Sequence, residues 1–327
     1  MKRRAFVEIA VAALSASPLA ALAQRPAPPV IGYLSGVSRD EHEDRLSAFR
    51  RGLEQGGYTE GRNCVIVYRW AEGAYDRLPA LAAELVRQKV AVLVATGGPR
   101  AVLAAKAASS TIPIAFTIGG DPVRLGVVRS LNRPDGNLTG VSFLTADLMA
   151  KRFELLREVV PRASRVALIV NPNTPSANDQ VSGALLAARA SGTLLQVERA
   201  GTAAEIDAAF ASLARHRPDA LLVGTDAFFN SRQNQFIALA ARHALPAIYE
   251  SRRAVVAGGL LSYGPDIADA YLQAGIYTAR LLDGVRPSDL PVLQPTKFEL
   301  VINLATARSL GLNLPQGVLL RADEVIE

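Results

Sequence analysis

A single cysteine, Cys64, excludes an internal disulfide in this chain of 327 residues. It lies in the strand-like stretch N-C-V-I-V, where a buried and inert thiol is the expected form. Histidine is scarce too. His42, His216 and His243 show neither metal-ligand nor catalytic-triad spacing. The nucleophile elbow G-x-S-x-G, the phosphate loop G-x-x-x-x-G-K-[ST] and the dinucleotide fingerprint G-x-G-x-x-G are all missing. The sequence therefore offers no motif for hydrolase, NTPase or dinucleotide chemistry. Long runs of one charge are also missing. The net charge of +6 is dispersed, so a solvated surface is expected rather than a nucleic-acid interface. Low-complexity sequence is absent and half of the residues are hydrophobic, enough for one large domain or two medium ones.

What is present begins with a leader. M-K-R-R supplies a cationic start, and a mostly apolar stretch follows to Ala21-Leu22-Ala23, an A-x-A-like cleavage site before Gln24. Residues 1–23 read as a signal peptide. Glu8 and Pro18 make this stretch a poor permanent membrane span. Arg3-Arg4 with Phe6 leaves two export routes open, the general secretory one and the twin-arginine one. No cysteine stands at the cleavage point, so a lipid anchor is not expected there.

The remainder alternates β-branched runs with Ala/Leu-rich helical runs. Strands are predicted at 29–34, 64–71, 90–97 and 112–118, with helices at 40–57, 75–88 and 99–109 between them. Apolar residues at successive strand positions imply a parallel sheet covered on both faces. The plan is then written again. S-R-V-A-L-I-V-N-P-N (164–173), P-D-A-L-L-V-G-T-D-A (218–227) and A-L-P-A-I-Y-E-S (244–251) answer the first, third and fourth strands. The tail departs from this repeat: a strand at 258–264, a helix at 266–284, an extended run at 290–304 and a short helix at 305–311. Such a chain crosses between two lobes more than once.

On these residues the chain resembles the substrate-binding proteins of ABC-type importers. The similar group has the type I periplasmic-binding-protein fold and includes tryptophan and aromatic amino-acid binders. The resemblance runs from Val30 to the C-terminus. It is carried by G-Y-T-E-G-R-N (57–63), I-P-I-A-F (112–116), G-D-P-V-R-L-G (120–126), G-N-L-T-G (136–140), N-P-N-T-P (171–175) and I-N-L-A-T-A-R-S-L-G (302–311). It implies an α/β architecture of two similar Rossmann-like lobes, each a doubly wound parallel sheet, joined by a multi-strand hinge. The lobes are expected over 28–139 with 265–296, and over 140–264 with 297–327. Hinge positions are expected near Thr139–Ser142, Gly264–Pro265 and Lys297–Phe298. The resemblance also implies closure on a small polar or aromatic solute, such as an amino acid or aromatic carboxylate. It implies delivery to an ABC permease of the inner membrane from the periplasm, by a monomer without cofactor, metal, nucleic acid or catalytic step. Two alternatives stay open: an exported enzyme of this fold, and a ligand sensor acting on a membrane receptor. A transcription regulator of this fold would need a DNA-reading helix pair where the leader stands.

Ligands of doubly wound sheets sit beyond the carboxyl ends of the strands. The first-half candidates are therefore Ser35 and Gly36; Thr96, Gly97 and Gly98; Thr117, Gly119, Gly120 and Asp121; and Ser142. The second half offers Asn171, Asn173, Thr174, Pro175 and Ser176; Thr225, Asp226 and Phe228; Tyr249 and Glu250; then Gly264. Glycines expose main-chain N–H groups, and Gly97-Gly98-Pro99 has the form of a helix start that suits a carboxylate or merely makes a turn. Asp121 has two open roles, capping a helix begun by Pro122 and touching ligand. Asp226 is the stronger candidate for an ammonium partner, since G-T-D follows an apolar strand and matches a Thr-Asp loop of the family. The aromatic binders tend to have Asn after that Asp, whereas this chain has Ala227 and then Phe228-Phe229, a stacking wall or core. Tyr33, Tyr68, Trp70 and Tyr263 are open to the same two readings.

Overall fold

Alternating apolar strands and amphipathic helices build two sheets in the computed structural model, which describes residues 27–39, 42–143, 148–295 and 298–327. The leader, Asp40, Glu41 and Lys297 lie outside the described residues. The first sheet comprises β1 (Val30–Ser35), β2 (Val65–Trp70), β3 (Val92–Thr96), β4 (Ile114–Ile118) and β5 (Leu138–Ser142). Its order is β2-β1-β3-β4-β5, and every pairing is parallel. β3 and β4 are buried at every position because helices cover both faces. One face of the sheet carries α2 (Leu78–Arg87) and α3 (Pro99–Ala108), the other α1 (Glu43–Gln55) and α10 (Ile267–Leu282).

The second half builds α4 (Met149–Val159), β6 (Arg165–Val170), α5 (Ala177–Ala190), β7 (Leu194–Arg199), α6 (Ala203–His216), β8 (Ala220–Val223), α7 (Ala227–Ser231), α8 (Gln233–Arg242), β9 (Ala247–Tyr249), α9 (Arg252–Val256) and β10 (Leu261–Pro265). After α10 (Ile267–Leu282) come β11 (Phe298–Asn303), α11 (Leu304–Ser309), α12 (Gln316–Leu319) and β12 (Glu324–Ile326). The second sheet runs β12-β11-β10-β9-β8-β6-β7. One pairing, β10 with β11, is antiparallel. Its cause is α10, which carries the chain over to the first sheet, so the chain re-enters beside β10 from the opposite direction.

Three local expectations change. Thr139–Ser142, expected at a hinge, forms β5 and is buried within the first sheet. The first sheet thus runs through Ser142, and Phe143 N still donates to Ile118 O at 2.8 Å. Pro122 starts a succession of turns through Gly126 rather than a helix. Strand β7 has no counterpart among the strands predicted from apolar runs, because Leu194–Arg199 alternates with polar residues at the sheet edge.

Helix α10 is anchored on α1 through backbone contact. A Cβ at Gly52 would lie 1.9 Å from the Leu272 carbonyl oxygen, and one at Gly275 would lie 2.1 Å from that of Phe49. Only glycine at both positions lets the helices approach so closely. Since α10 directly follows β10, this contact ties the second half of the chain to the first sheet. Replacing Gly52 by Val should force the helices apart and lower the unfolding free energy by about 1–3 kcal/mol. Urea denaturation monitored by circular dichroism measures this; an unchanged midpoint would show that the contact is not tight.

Candidate functional site

Each sheet reverses its strand order once near its middle, and a crevice opens where neighbouring crossovers run to opposite faces. In the first sheet this lies between β1 and β3, in the second between β6 and β8. The two crevices face each other across a narrow slot. About 480 Å³ of atom-free space lies between its walls, mouth included.

The first-sheet wall is largely backbone. Gly97, Gly98, Thr117, Gly119 and Gly120 line it. Gly97 has φ +72° and Gly98 φ +112°, and a Cβ on Gly97 would sit 2.6 Å from both Gly36 N and Ser35 Oγ. These glycines thus turn the chain at the β3 end and present the start of α3, where Pro99 occupies the first turn. Thr117 is buried, and its hydroxyl has no hydrogen-bond partner although it lines the slot.

The second-sheet wall supplies charge. Asp226 is 6% exposed and Glu250 5%, both line the slot, and neither has an ion-pair partner among the described residues. Asp226 Oδ1 accepts from Asn171 Nδ2 (2.8 Å) and from Phe228 N (3.0 Å), capping α7. Burial pushes its carboxyl up to about 6 from an ordinary 3.8. The hydrogen bonds from Asn171, Phe228 and Phe229 oppose that rise, and the charge of Glu250 adds to it. Glu250 Oε2 accepts from Asn230 Nδ2 at 2.9 Å.

Behind this wall stands a polar brace. Gln180, fully buried, accepts from Thr225 N (2.7 Å) and donates to Thr225 O (2.8 Å), fixing the peptide before Asp226. It also donates to Ser176 Oγ at 3.1 Å. Arg152, with no exposed surface, donates to Thr225 Oγ1 (2.6 Å) and Tyr263 O (2.7 Å). Burial lowers its guanidinium to about 10, against the opposing pull of Glu250.

Several candidates lie beside the slot rather than in it. Ser35, Gly36 and Thr96 form the tight contact beneath the glycine turn: a Cβ on Gly36 would meet Gly97 O at 2.3 Å. Ser142 donates to Gly120 O (3.0 Å) and holds that turn from behind. Asp121 accepts from Val123 N (2.8 Å) and pairs with Arg124 (3.2 Å), so it closes the local turn and does not line the slot. Asn171 orients Asp226 and accepts from Asn173 N at 2.9 Å. Asn173 and Pro175 are exposed beyond the wall, and it is Thr174 and Ser176 of that loop that face inward. Phe228 and Tyr249 pack in the hydrophobic core of the second sheet. Gly264 lets β10 pass the Glu250 carbonyl oxygen, which a Cβ would meet at 2.1 Å.

Of the two readings open for the aromatic candidates, packing away from the slot is the one seen. Tyr33 is core, Tyr68 hydrogen-bonds Arg50 and Glu60, Trp70 stacks on Tyr68, and Tyr263 stacks on Phe298. The rings at the slot are Phe143 and Tyr271, stacked with centroids 6.3 Å apart. Arg45, Asn230 and Ile267 complete the lining, and neither they nor these two rings are named by strand-end reasoning. Among the described residues no cluster of three metal-ligating side chains occurs, and no helix is long and apolar enough to cross a membrane.

Comparison with known proteins agrees with this geometry. The family model described as ABC transporter substrate binding protein matches residues 30–326. A tyrosine-binding protein of Clostridioides difficile (strain R20291) is 28% identical over 283 residues, covering 86% of this chain and 81% of the relative. A conserved domain protein of Vibrio cholerae superposes with a TM-score of 0.84 at 27% identity, over 91% of this chain and 99% of that one. An ABC domain from Streptococcus pneumonia in complex with L-Trp superposes with a TM-score of 0.83 at 23% identity, over 91% and 100% of the two chains, and shares the fold. With two facing sheets, a slot at their switch points and a family match over nearly all described residues, the chain belongs to the ABC transporter substrate-binding protein family.

Proposed function

We propose that the chain is the extracytoplasmic solute-binding component of an ABC importer and that it closes on a zwitterionic amino acid. One observation carries this reading: Asp226, beside Glu250, is buried in the slot and has no ion-pair partner among the described residues. A buried acid in that state favours an ammonium group arriving from outside. Across the slot, the Gly97–Gly98 turn and the start of α3 offer main-chain N–H groups and a positive helix end to the ligand carboxylate. The unpartnered Thr117 hydroxyl supplies a further hydrogen bond, and Phe143 and Tyr271 supply the apolar side. The tyrosine-binding relative supports an amino acid as ligand.

Closure follows from the same contacts. Arg100 of α3 donates to Asn173 O, Arg124 pairs with Asp179 at 3.7 Å, and Tyr75 packs against the cores of both sheets. Together they hold the slot narrow, so entry requires the sheets to part. Ligand bridging both walls stabilises the shut form by its extra affinity for it, and a membrane permease reads that form.

Isothermal titration of the mature protein with the common amino acids should find a ligand. Asp226→Asn should weaken it by about a hundredfold, as expected for loss of a buried charge-assisted contact. Wild-type affinity should fall about tenfold per pH unit below about 6, as the carboxylate is protonated, while Asp226→Asn stays flat. The empty protein should respond in the opposite sense. A carboxyl raised in the folded state favours folding when protonated, so this contribution is full below 3.8 and is lost as pH rises through about 6. It amounts to at most about 3 kcal/mol, read as the pH-dependent difference in urea stability between wild type and Asp226→Asn. Exported protein should begin at Gln24; an unprocessed N-terminus in an extracytoplasmic fraction would contradict the leader assignment.

A further inference from the structure

The slot has an outer end whose chemistry differs from its inner end. Arg45, in the first turn of α1, lines the slot and also an adjoining chamber with about 1010 Å³ of atom-free space, mouth included, as does Ile267. It is half-buried, and among the described residues it has neither a hydrogen bond nor an ion pair. It lies over the Tyr271 ring, whose centroid is 6.0 Å from the guanidinium carbon. A guanidinium that is partly desolvated, stacked on a slot-lining ring and left unpaired is an available anion receptor.

The charged neighbours do not satisfy it. In the chamber, Arg252 is taken up by Glu324 at 2.7 Å, and Asp266 Oδ1 caps α10 by accepting from Ala268 N and Asp269 N. Asp44 and Glu299 line the chamber but make no ion pair with Arg45. The imidazole of His42, wedged between Trp70 and Tyr271, is held well below its ordinary range by burial and then by the charges of Arg45 and Arg253. The chamber thus carries three arginines, Arg45, Arg252 and Arg253, against three acids, Asp44, Asp266 and Glu299, and Arg45 is the one that also reaches the slot. Glu250, on the opposite wall, would repel an incoming anion, but its charge is countered by the Asn230 amide and by Arg152 behind it.

We propose that Arg45 reads an anionic group at the end of the ligand remote from its amine, so that the solute is an amino acid with an acidic side chain. The assignment rests on the amine-binding reading of Asp226 and adds a second charge to it. The amine enters toward the two buried carboxylates, and the side-chain anion stops at Arg45, where the slot widens into the chamber.

Matched probes separate the two claims. The mature protein is titrated calorimetrically with L-glutamate against L-glutamine, and with 4-carboxy-L-phenylalanine against L-phenylalanine. In at least one pair the acidic member should bind about tenfold or more tightly than its neutral partner, the usual range for a charge-assisted contact. Arg45→Gln should remove that preference and leave the neutral member within about threefold, in a protein whose melting temperature confirms folding. Equal affinity within both pairs, or an acidic preference that survives Arg45→Gln, would overturn the role of Arg45. Amine binding would still stand in that case if Asp226→Asn abolished binding of all four. Binding that ignores Asp226→Asn, or no binding by any probe, would overturn both readings.

Discussion

A carboxylate taken out of water without a cation beside it is held only where fixed dipoles replace the lost hydration. Asp226 is held in this way, and much of the second sheet's edge is arranged around it. The amide of Asn171, reaching across the crevice between β6 and β8, and the first N–H groups of α7 converge on one carboxyl oxygen. Gln180 pins the preceding peptide, and Arg152 pins the hydroxyl of Thr225. Removing any of these braces frees the loop and leaves a buried polar group unmet. The acid therefore reports on the integrity of β6, β8, α5 and α4 together.

The opposite wall solves a different problem. Nothing charged from β3 or β4 faces the slot; glycine turns bring bare backbone to its surface instead. The close approach of Gly36 to Gly97 makes this possible, since any side chain there would wedge β1 from β3. On the proposed reading, a charged wall facing a backbone wall would distinguish the two ends of a zwitterion and give closure a direction. Ligand joined to one wall only leaves the other unsatisfied. The extra stability of the shut form then comes from the second set of contacts.

The strand-end rule located much of this from sequence. It found the glycine turns at 97–98 and 119–120, Ser176, Asp226 and Glu250, because an apolar run followed by a small or acidic residue marks where a parallel strand opens into a crevice. It stopped at the layer beneath. Ser35, Thr96 and Ser142 sit at strand ends yet face their own sheet, and periodicity alone does not tell inward from outward in a strand buried on both faces. Arg45, Phe143, Ile267 and Tyr271 escaped for another reason. They reach the slot from helices α1 and α10 and from the exit of β5, and only the packing of α10 on α1, far apart in sequence, brings them together. Asp121 shows the converse failure: Asp-Pro reads as a helix start, but Pro122 leads into consecutive turns, so the carboxylate is spent locally.

The central claim is that one small solute spans both walls with its amine on Asp226. The most direct test is a crystal structure of the mature protein with its bound solute, either co-purified or added from the calorimetric series. The account predicts a nitrogen of the solute within hydrogen-bond distance of the Asp226 carboxylate, with main-chain contacts from Gly97–Gly98 on the facing wall. A solute bound to one sheet alone, or one that presents no nitrogen to Asp226, would contradict it.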